Sequence, residues 1–435
     1  MTKLLDPRAK AIIFFCALAI MAGINFVQYR ATEDTGLAVD FPSFYYASKL
    51  VFEDGLTPYN SSNWRLVKPL YTAGELSPFL YPPPSLLIFR PFALFSYEGA
   101  KSVMLWLNQF LILPFIFLFY FKILKLRPQD LFLTAAVIYL YSFNPLLVTL
   151  NNGQVSLWVL VSICLAWWAT KEEMHPVWIA LPLAFAIILK LFPILLLAIY
   201  FFKKDTKTIV YVLILLVVVS LIAALLLPGG IWQDWFSQVA SRGYAQDVGG
   251  MAVARPANQS IHAFVARLFY GLNVRFAPML SPPSWAGLVP YILGGLVGLL
   301  SIGATWWISR NKIGEPDKLD LQFCIWLPAI FLVSPFSWQY HLVHLLPAIY
   351  LAVLWALKGR NALVKVLIIG LALFLAYDFP FNSPLLRNGA WTLLYSSPLY
   401  AVGLLWLYFI FLTLRNEEGD GLLPKRMNAA ARSAP

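Results

Sequence analysis

Five polar clusters interrupt an otherwise apolar chain, and each carries residue types that catalyse or bind. Asp40 opens the run Asp40-Phe41-Pro42-Ser43-Phe44-Tyr45-Tyr46 just after the first hydrophobic segment. A carboxylate there either caps the helix that follows or acts as a base. Lys190 lies within a long apolar stretch, in Lys190-Leu191-Phe192-Pro193. A charge at the centre of a bilayer costs ~2.5–3.5 kcal/mol on insertion scales, so it either snorkels or has a partner, and an anionic phosphate is one such partner. His341 ends the turn Ser334-Pro335-Phe336-Ser337-Trp338-Gln339-Tyr340-His341, and His344 stands one turn further on. Arg255 and Arg267 flank Asn258-Gln259-Ser260, and Gln154 ends the turn Asn151-Asn152-Gly153-Gln154. One carboxylate with Lys, His and Arg suits a reaction that needs a single general base and cations for an anion.

Each of these residues also has a plainer reading. His341 can serve as an interfacial histidine on a backbone carbonyl, and the two arginines can solvate a loop. Gln154 and Asn258 fit turns as well as they fit hydroxyl partners. Tyr45, Tyr81 and Trp338 form a sugar-stacking surface or an aromatic belt at a membrane interface.

The elements that must position these residues follow from composition. Of 435 residues, 60% are hydrophobic, 16% aromatic and 12% charged, which lies outside the soluble globular class. Apolar runs long enough to cross a bilayer recur from end to end, so the expected fold is an all-α polytopic membrane protein. The net charge of +11 sits in short loops and not in a basic block, which speaks for topology and against a nucleic-acid partner. Cys16, Cys164 and Cys324 lie in apolar runs without metal-ligand spacing, and the outer loops hold no Asp-x-Asp pair, so no metal site is expected.

Tracing the runs gives about twelve transmembrane helices with both termini inside. Residues 1–414 form one transmembrane domain, with outer loops at 28–101 and 228–285 that carry amphipathic helices, and 415–435 is a disordered cytoplasmic tail. Phe41, Phe44, Tyr45, Ser48 and Phe52 fall at helical spacing, which predicts a juxtamembrane amphipathic helix. Between Lys171 and Lys203-Lys204 the positive-inside bias demands a hairpin of two short helices with Lys190 at its apex. On this topology Asp40, Gln154, Lys190, the 258–267 segment and the 334–341 turn all share the outer face.

These motifs, in this order, resemble glycosyltransferase family 87. The pattern comprises Asp40 with Tyr45, Ala47, Leu50, Gly55, Pro58 and Tyr59; Tyr81-x-Pro83; Asn152-Gly153-Gln154; Lys190-x-x-Pro193; Asn258-Gln259-Ser260 with Arg267; and Ser334-Pro335-x-Ser337-Trp338-x-x-His341. The resemblance implies a GT-C fold and an enzyme that takes a sugar, often mannose, from a polyprenyl-phosphate donor. It further implies Asp40 as the general base, inversion at the anomeric carbon, and no cofactor beyond the lipid-linked sugar, which is a co-substrate. Lys190, His341, Arg255 and Arg267 are then the expected phosphate ligands, and Tyr45, Tyr81, Gln154, Asn258, Trp338 and His344 the expected contacts to sugar or acceptor. Family mannosyltransferases often carry two adjacent histidines after the Ser-Trp pair, and here Tyr340 takes the first place, a departure that touches the choice of sugar.

The chemistry fits that expectation. A polyprenyl phosphate leaves without protonation, so transfer from it needs one base for the acceptor hydroxyl and cations for the phosphate, half of the two-carboxylate scheme of glycoside hydrolysis. The partners are then a lipid-linked donor, a lipid or glycan acceptor and the bilayer, at the outer or periplasmic side of the plasma membrane. The alternative, a flippase or exporter of a lipid-linked glycan, calls for an internal repeat or ionisable residues spread through several spans, and the sequence shows neither.

Overall fold

Apolar chain removed from water must satisfy its backbone groups within each segment, and here it does so as helix. The computed structural model describes residues 6–35, 40–67, 76–242, 253–269, 283–310, 315–379, 383, 386 and 389–415. The expected disordered tail therefore lies outside the described residues, apart from Arg415. Among those described there are helices and one isolated antiparallel bridge, Asn258 to Trp338, and no strands.

The chain begins with α1 (Pro7–Thr35), α2 (Phe41–Phe52) and α3 (Ser61–Val67). A proline-rich stretch then forms α4 (Ser85–Phe89) and a 3₁₀ turn, Arg90–Leu94. α5 (Tyr97–Phe115) continues through a π-helical segment, Ile116–Ile123. Next come α6 (Leu131–Ser142), α7 (Asn144–Asn151), α8 (Ser156–Lys171) and α9 (Pro176–Leu189). Beyond Lys190 lie a 3₁₀ turn, Phe192–Leu196, α10 (Leu197–Phe202), α11 (Thr206–Leu226) and α12 (Ile231–Gln238). α13 (Ile261–Phe269), α14 (Val289–Arg310) and α15 (Glu315–Val333) follow. A 3₁₀ segment, Gln339–Leu345, leads into α16 (Leu346–Lys358), and α17 (Ala362–Ala376) and α18 (Ser397–Arg415) close the chain.

Among the described residues, six helical stretches are long and apolar enough to cross a membrane, or seven if α6 and α7, bent by 47° at Phe143, make one span. The expected twelve crossings exceed that number because α8, α9, α17 and the segment Phe192–Phe202 are shorter apolar helices. The outward faces of α11 and α14, with Leu221, Leu225, Leu296 and Leu299 more than half exposed, suit lipid and not water.

α8 is the central post. It packs on α9, on α5, on the π-helical segment and on the turn before α16. Trp167, fully buried on α8, stacks on Phe323 of α15 with ring centroids 4.4 Å apart. The two ends of α8, about 24 Å apart for sixteen residues of helix, point towards the two ends of the molecule. Thr170 at one end shares a 3.0 Å hydrogen bond with Tyr200 of α10, and Ser156 at the other accepts a 3.0 Å hydrogen bond from Lys190. The chain therefore climbs α9 to Lys190 and descends through α10 to where it started, which is the expected hairpin with the lysine at its apex.

The expected membrane-surface helix is present as α2 but is buried almost all round. Its polar Ser43 and Ser48 are as covered as its aromatic face. The cause is the proline-rich stretch, which folds back over it: Phe44 stacks on Phe89 at 4.5 Å and meets Tyr81 at 5.0 Å, while Phe41 meets Phe92. α2 is thus a core helix of the first loop and does not lie with one face on lipid.

At the basic end, Lys171 donates 2.7 Å hydrogen bonds to both carboxylate oxygens of Asp320, and Trp167 Nε1 donates to Oδ1 at 2.9 Å. Both charges are nearly covered, at 5% and 10% side-chain exposure. Breaking such a pair strands the surviving charge, whereas replacing both members with apolar residues does not. Asp320→Leu is expected to destabilise the detergent-solubilised protein by about 3–5 kcal/mol in thermal unfolding. The double variant Lys171→Met/Asp320→Leu should recover most of the loss; a double variant no better than the single one removes the ion pair as the cause.

Candidate active site

The end of the molecule opposite that ion pair is built on one turn. α7 closes in a Schellman motif: Gln154 N–H donates to Thr149 O at 3.0 Å, Gly153 N–H to Leu150 O at 3.1 Å, and Gly153 takes the left-handed φ of 63°. The motif leaves the carbonyl of Asn152 free to accept from the amides of Asp40 and Phe41, at 3.0 and 3.1 Å. The start of α2 is thereby fixed to the turn between α7 and α8. Asn108 of α5 locks the turn from beneath, with Nδ2 donating to Gln154 O at 3.0 Å and Oδ1 accepting from Trp158 Nε1 at 2.8 Å.

Asp40 occupies the N-cap position of α2, yet its side chain makes no capping hydrogen bond. The carboxylate instead faces the side chains of Gln154 and Asn152 and the charge of Lys190. Gln154 Oε1 accepts from the Tyr81 hydroxyl at 3.2 Å. Withdrawal from water raises the pKa of Asp40 above the usual 3.8, against the Gln154 side chain, the Lys190 charge and the Asn152 side chain, each of which lowers it. The residue still keeps part of its surface open.

Lys190 ends α9 in extended backbone, φ −147° and ψ 126°, which breaks the helix and swings the side chain into the bundle. Its Nζ donates to Ser156 Oγ at 3.0 Å and to His341 Nε2 at 2.5 Å, and lies 5.1 Å from the centre of the Tyr340 ring. His344 Nε2 donates to Ser156 O at 3.0 Å. Phe192, just past the hairpin apex, packs edge-on to both histidines, with centroids at 5.9 and 5.2 Å. The structure therefore brings together Asp40, Tyr81, Gln154, Lys190, His341 and His344, from five separate stretches of sequence. Tyr340 lays its ring beside the lysine ammonium as a cation–π partner.

The other expected contacts lie elsewhere. Arg267 is buried, and its guanidinium donates to the carbonyls of Arg255 and Asn258, at 3.0 and 2.9 Å, and to Ser396 Oγ at 2.7 Å. Arg255 is exposed. Asn258 ties the segment 253–269 to the turn before α16: its Nδ2 donates to Val253 O and Pro335 O, and its Oδ1 accepts from Ser337 N–H. Trp338 bridges to Asn258 through the backbone and stacks on Phe336. Tyr45 donates to Phe95 O at 3.0 Å and packs among Tyr46 and Tyr97. These residues build the frame around the cluster. Asp378, another carboxylate at this end, accepts from Asn144 Nδ2 at 3.1 Å.

Sequence reasoning missed Ser156 and Asn108. Ser156 carries no motif, and its value lies in offering a hydroxyl to Lys190 and a carbonyl to His344. Asn108 did leave a signal, being an amide in the middle of the apolar span Tyr97–Ile123, where an unpaired polar group is costly.

The arrangement sets one partly open carboxylate against a lysine and a histidine across a buried end, a layout suited to taking a proton on one side and holding an anion on the other. No solved structure matches this chain. The chain is 24% identical over 382 residues, 82% of its own length and 80% of the relative's, to a polyprenol-phosphate-mannose-dependent alpha-(1-2)-phosphatidylinositol mannoside mannosyltransferase of Mycobacterium tuberculosis. The model of glycosyltransferase family 87 matches residues 79–335, a stretch that holds Tyr81, Gln154 and Lys190 and stops short of Asp40 on one side and His341 on the other. With more than half of its length matched, the chain belongs to glycosyltransferase family 87.

Proposed function

We propose that this membrane glycosyltransferase moves a hexose, mannose in our reading, from a polyprenyl-phosphate donor to a membrane-associated or lipid-linked acceptor. The observation that carries the proposal is Asp40, fixed through its backbone amide to Asn152 O at 3.0 Å, facing the charge of the Lys190–His341 pair across the cluster. Asp40 takes the proton of the acceptor hydroxyl while that oxygen attacks the anomeric carbon. The bond from the anomeric carbon to the phosphate oxygen breaks, the phosphate departs towards Lys190 and His341, and attack opposite the leaving group inverts the centre. The leaving group is an anion that needs no acid, so one carboxylate is enough. Mannose is supported by the similarity to a polyprenol-phosphate-mannose-dependent relative, and Tyr340 is a departure from the family pattern near the site. Family membership favours an enzyme over the exporter alternative.

In the finer topology proposed here, the chain makes about twelve crossings with both termini inside, the short apolar helices traversing as hairpins or bent pairs. The lysines of the opposite end, Lys122, Lys125, Lys171, Lys203 and Lys204, then face the cytoplasm, and the cluster opens to the outer face of the plasma membrane.

Asp40→Asn tests the base directly. Asp40 makes no side-chain cap, so the neutral isostere should leave folding intact and lower transfer from polyprenyl-phosphate mannose by ~10²–10⁴-fold. Transfer at the normal rate rules out Asp40 as the base. A base must be ionised, so the raised pKa of Asp40 places the acid limb of the kcat/KM profile above the usual carboxylate range. Gln154→Leu removes an interaction that lowers that pKa, and the acid limb should move to still higher pH. An acid limb that stays in place, or moves down, shows that another group titrates.

A further inference from the structure

The basic end, remote from Asp40, contains a cavity that sugar transfer does not use. Its volume is about 240 Å³, and it is lined by Phe202, Lys203, Lys204, Ser309, Lys318 and Gln322 where α10, α14 and α15 meet. A single water needs ~10–15 Å³, so this space admits a larger group. Three lysines face it. Two acids near Lys203 and Lys204 are committed elsewhere: Asp205 accepts from the Thr208 amide at 3.1 Å and from its hydroxyl at 2.6 Å, and both oxygens of Asp320 are held by Lys171.

The local backbone bears on the same point. α10 ends in a tight turn in which Asp205 N–H donates to Tyr200 O at 2.9 Å and Lys204 N–H to Phe201 O at 3.0 Å. Lys204 holds the left-handed position of that turn, φ 59°, where glycine is the residue without strain. Two successive lysines are thus set on one cavity. Gln322 donates to Ser309 Oγ at 2.9 Å and so firms the wall opposite. Beside this polar pocket the surface is apolar: Phe201 is 66% exposed, and Ile302 and Trp306 of α14 are 42% and 39% exposed. A cationic hollow bordering lipid-facing aromatic and aliphatic surface matches a molecule with an anionic head and apolar tails.

We propose that this cavity binds the phosphate headgroup of an anionic glycerophospholipid from the leaflet at the basic end, with the acyl chains lying along Phe201 and α14. The site stands apart from the cluster around Asp40, and a lipid bound there acts on the stability of the bundle.

The test uses the full chain, purified in neutral detergent, with its thermal unfolding midpoint followed on addition of phosphatidylglycerol, phosphatidylcholine or glycerol 3-phosphate. Phosphatidylglycerol should raise the midpoint of the wild type, and the other two should not. Lys203→Ser/Lys204→Gly, which keeps the turn by placing glycine in the left-handed position, should lose that rise, as should Lys318→Ser in part. A control pair, Arg127→Ser/Arg360→Ser, removes the same charge from exposed sites and should keep it. Equal effects of the two lipids, or an undiminished rise in the Lys203/Lys204 variant, overturn the proposal. So does a rise lost equally in the control pair, and a glycerol 3-phosphate effect as large as that of the lipid assigns the cavity to a soluble phosphate instead.

Discussion

A lysine ammonium at the end of an apolar bundle imposes a constraint on everything near it. Lys190 cannot be left without partners there, because an unpaired charge in a low-dielectric setting costs several kcal/mol. Its partners arrive from distant parts of the chain: Ser156 from the start of α8, His341 from the turn before α16, and Asp40 from the start of α2. Each of those starts or turns is in turn pinned by local backbone chemistry, the Schellman motif for one and the Asn258 bridge for another. The site and the packing of this end of the molecule are therefore a single problem with a single solution.

Much of this was legible in the residues. Hydrophobic composition fixed the class, and the basic loops around Lys171 and Lys203 fixed a hairpin that the contacts of Thr170 and Ser156 reproduce. The same reasoning brought Asp40, Gln154, Lys190 and His341 to one end. It failed where burial depends on non-local packing. The spacing of Phe41, Phe44, Tyr45, Ser48 and Phe52 describes one apolar face, but nothing in that spacing says that residues 79–97 will cover the other.

Arg267 and Asn258 show a second kind of limit. Charge and amide groups in an outer loop have the same residue types whether they meet a phosphate or a carbonyl, and only the fold separates the cases. Here the guanidinium of Arg267 and the amide of Asn258 close hydrogen bonds to the chain itself, so their contribution is to hold the loop that holds His341. Span number was hard to read for a related reason. Hydropathy counts apolar residues, while α8, α9 and the Phe192–Phe202 segment are apolar because protein surrounds them as much as because lipid does.

The hairpin at Lys190 also bears on how the chain is made. Synthesis delivers Lys190 long before His341, which lies 151 residues further on, while Ser156 and the Asp40 turn are already in place. For that interval the lysine has a hydroxyl and a carboxylate for company but no imidazole, and this end of the bundle is held from one side only. The nascent protein must carry an incompletely neutralised cation in the membrane until its last third inserts. The order of residues along the chain, with the carboxylate first, the lysine next and the histidine last, keeps that cation beside an opposite charge from the moment it appears.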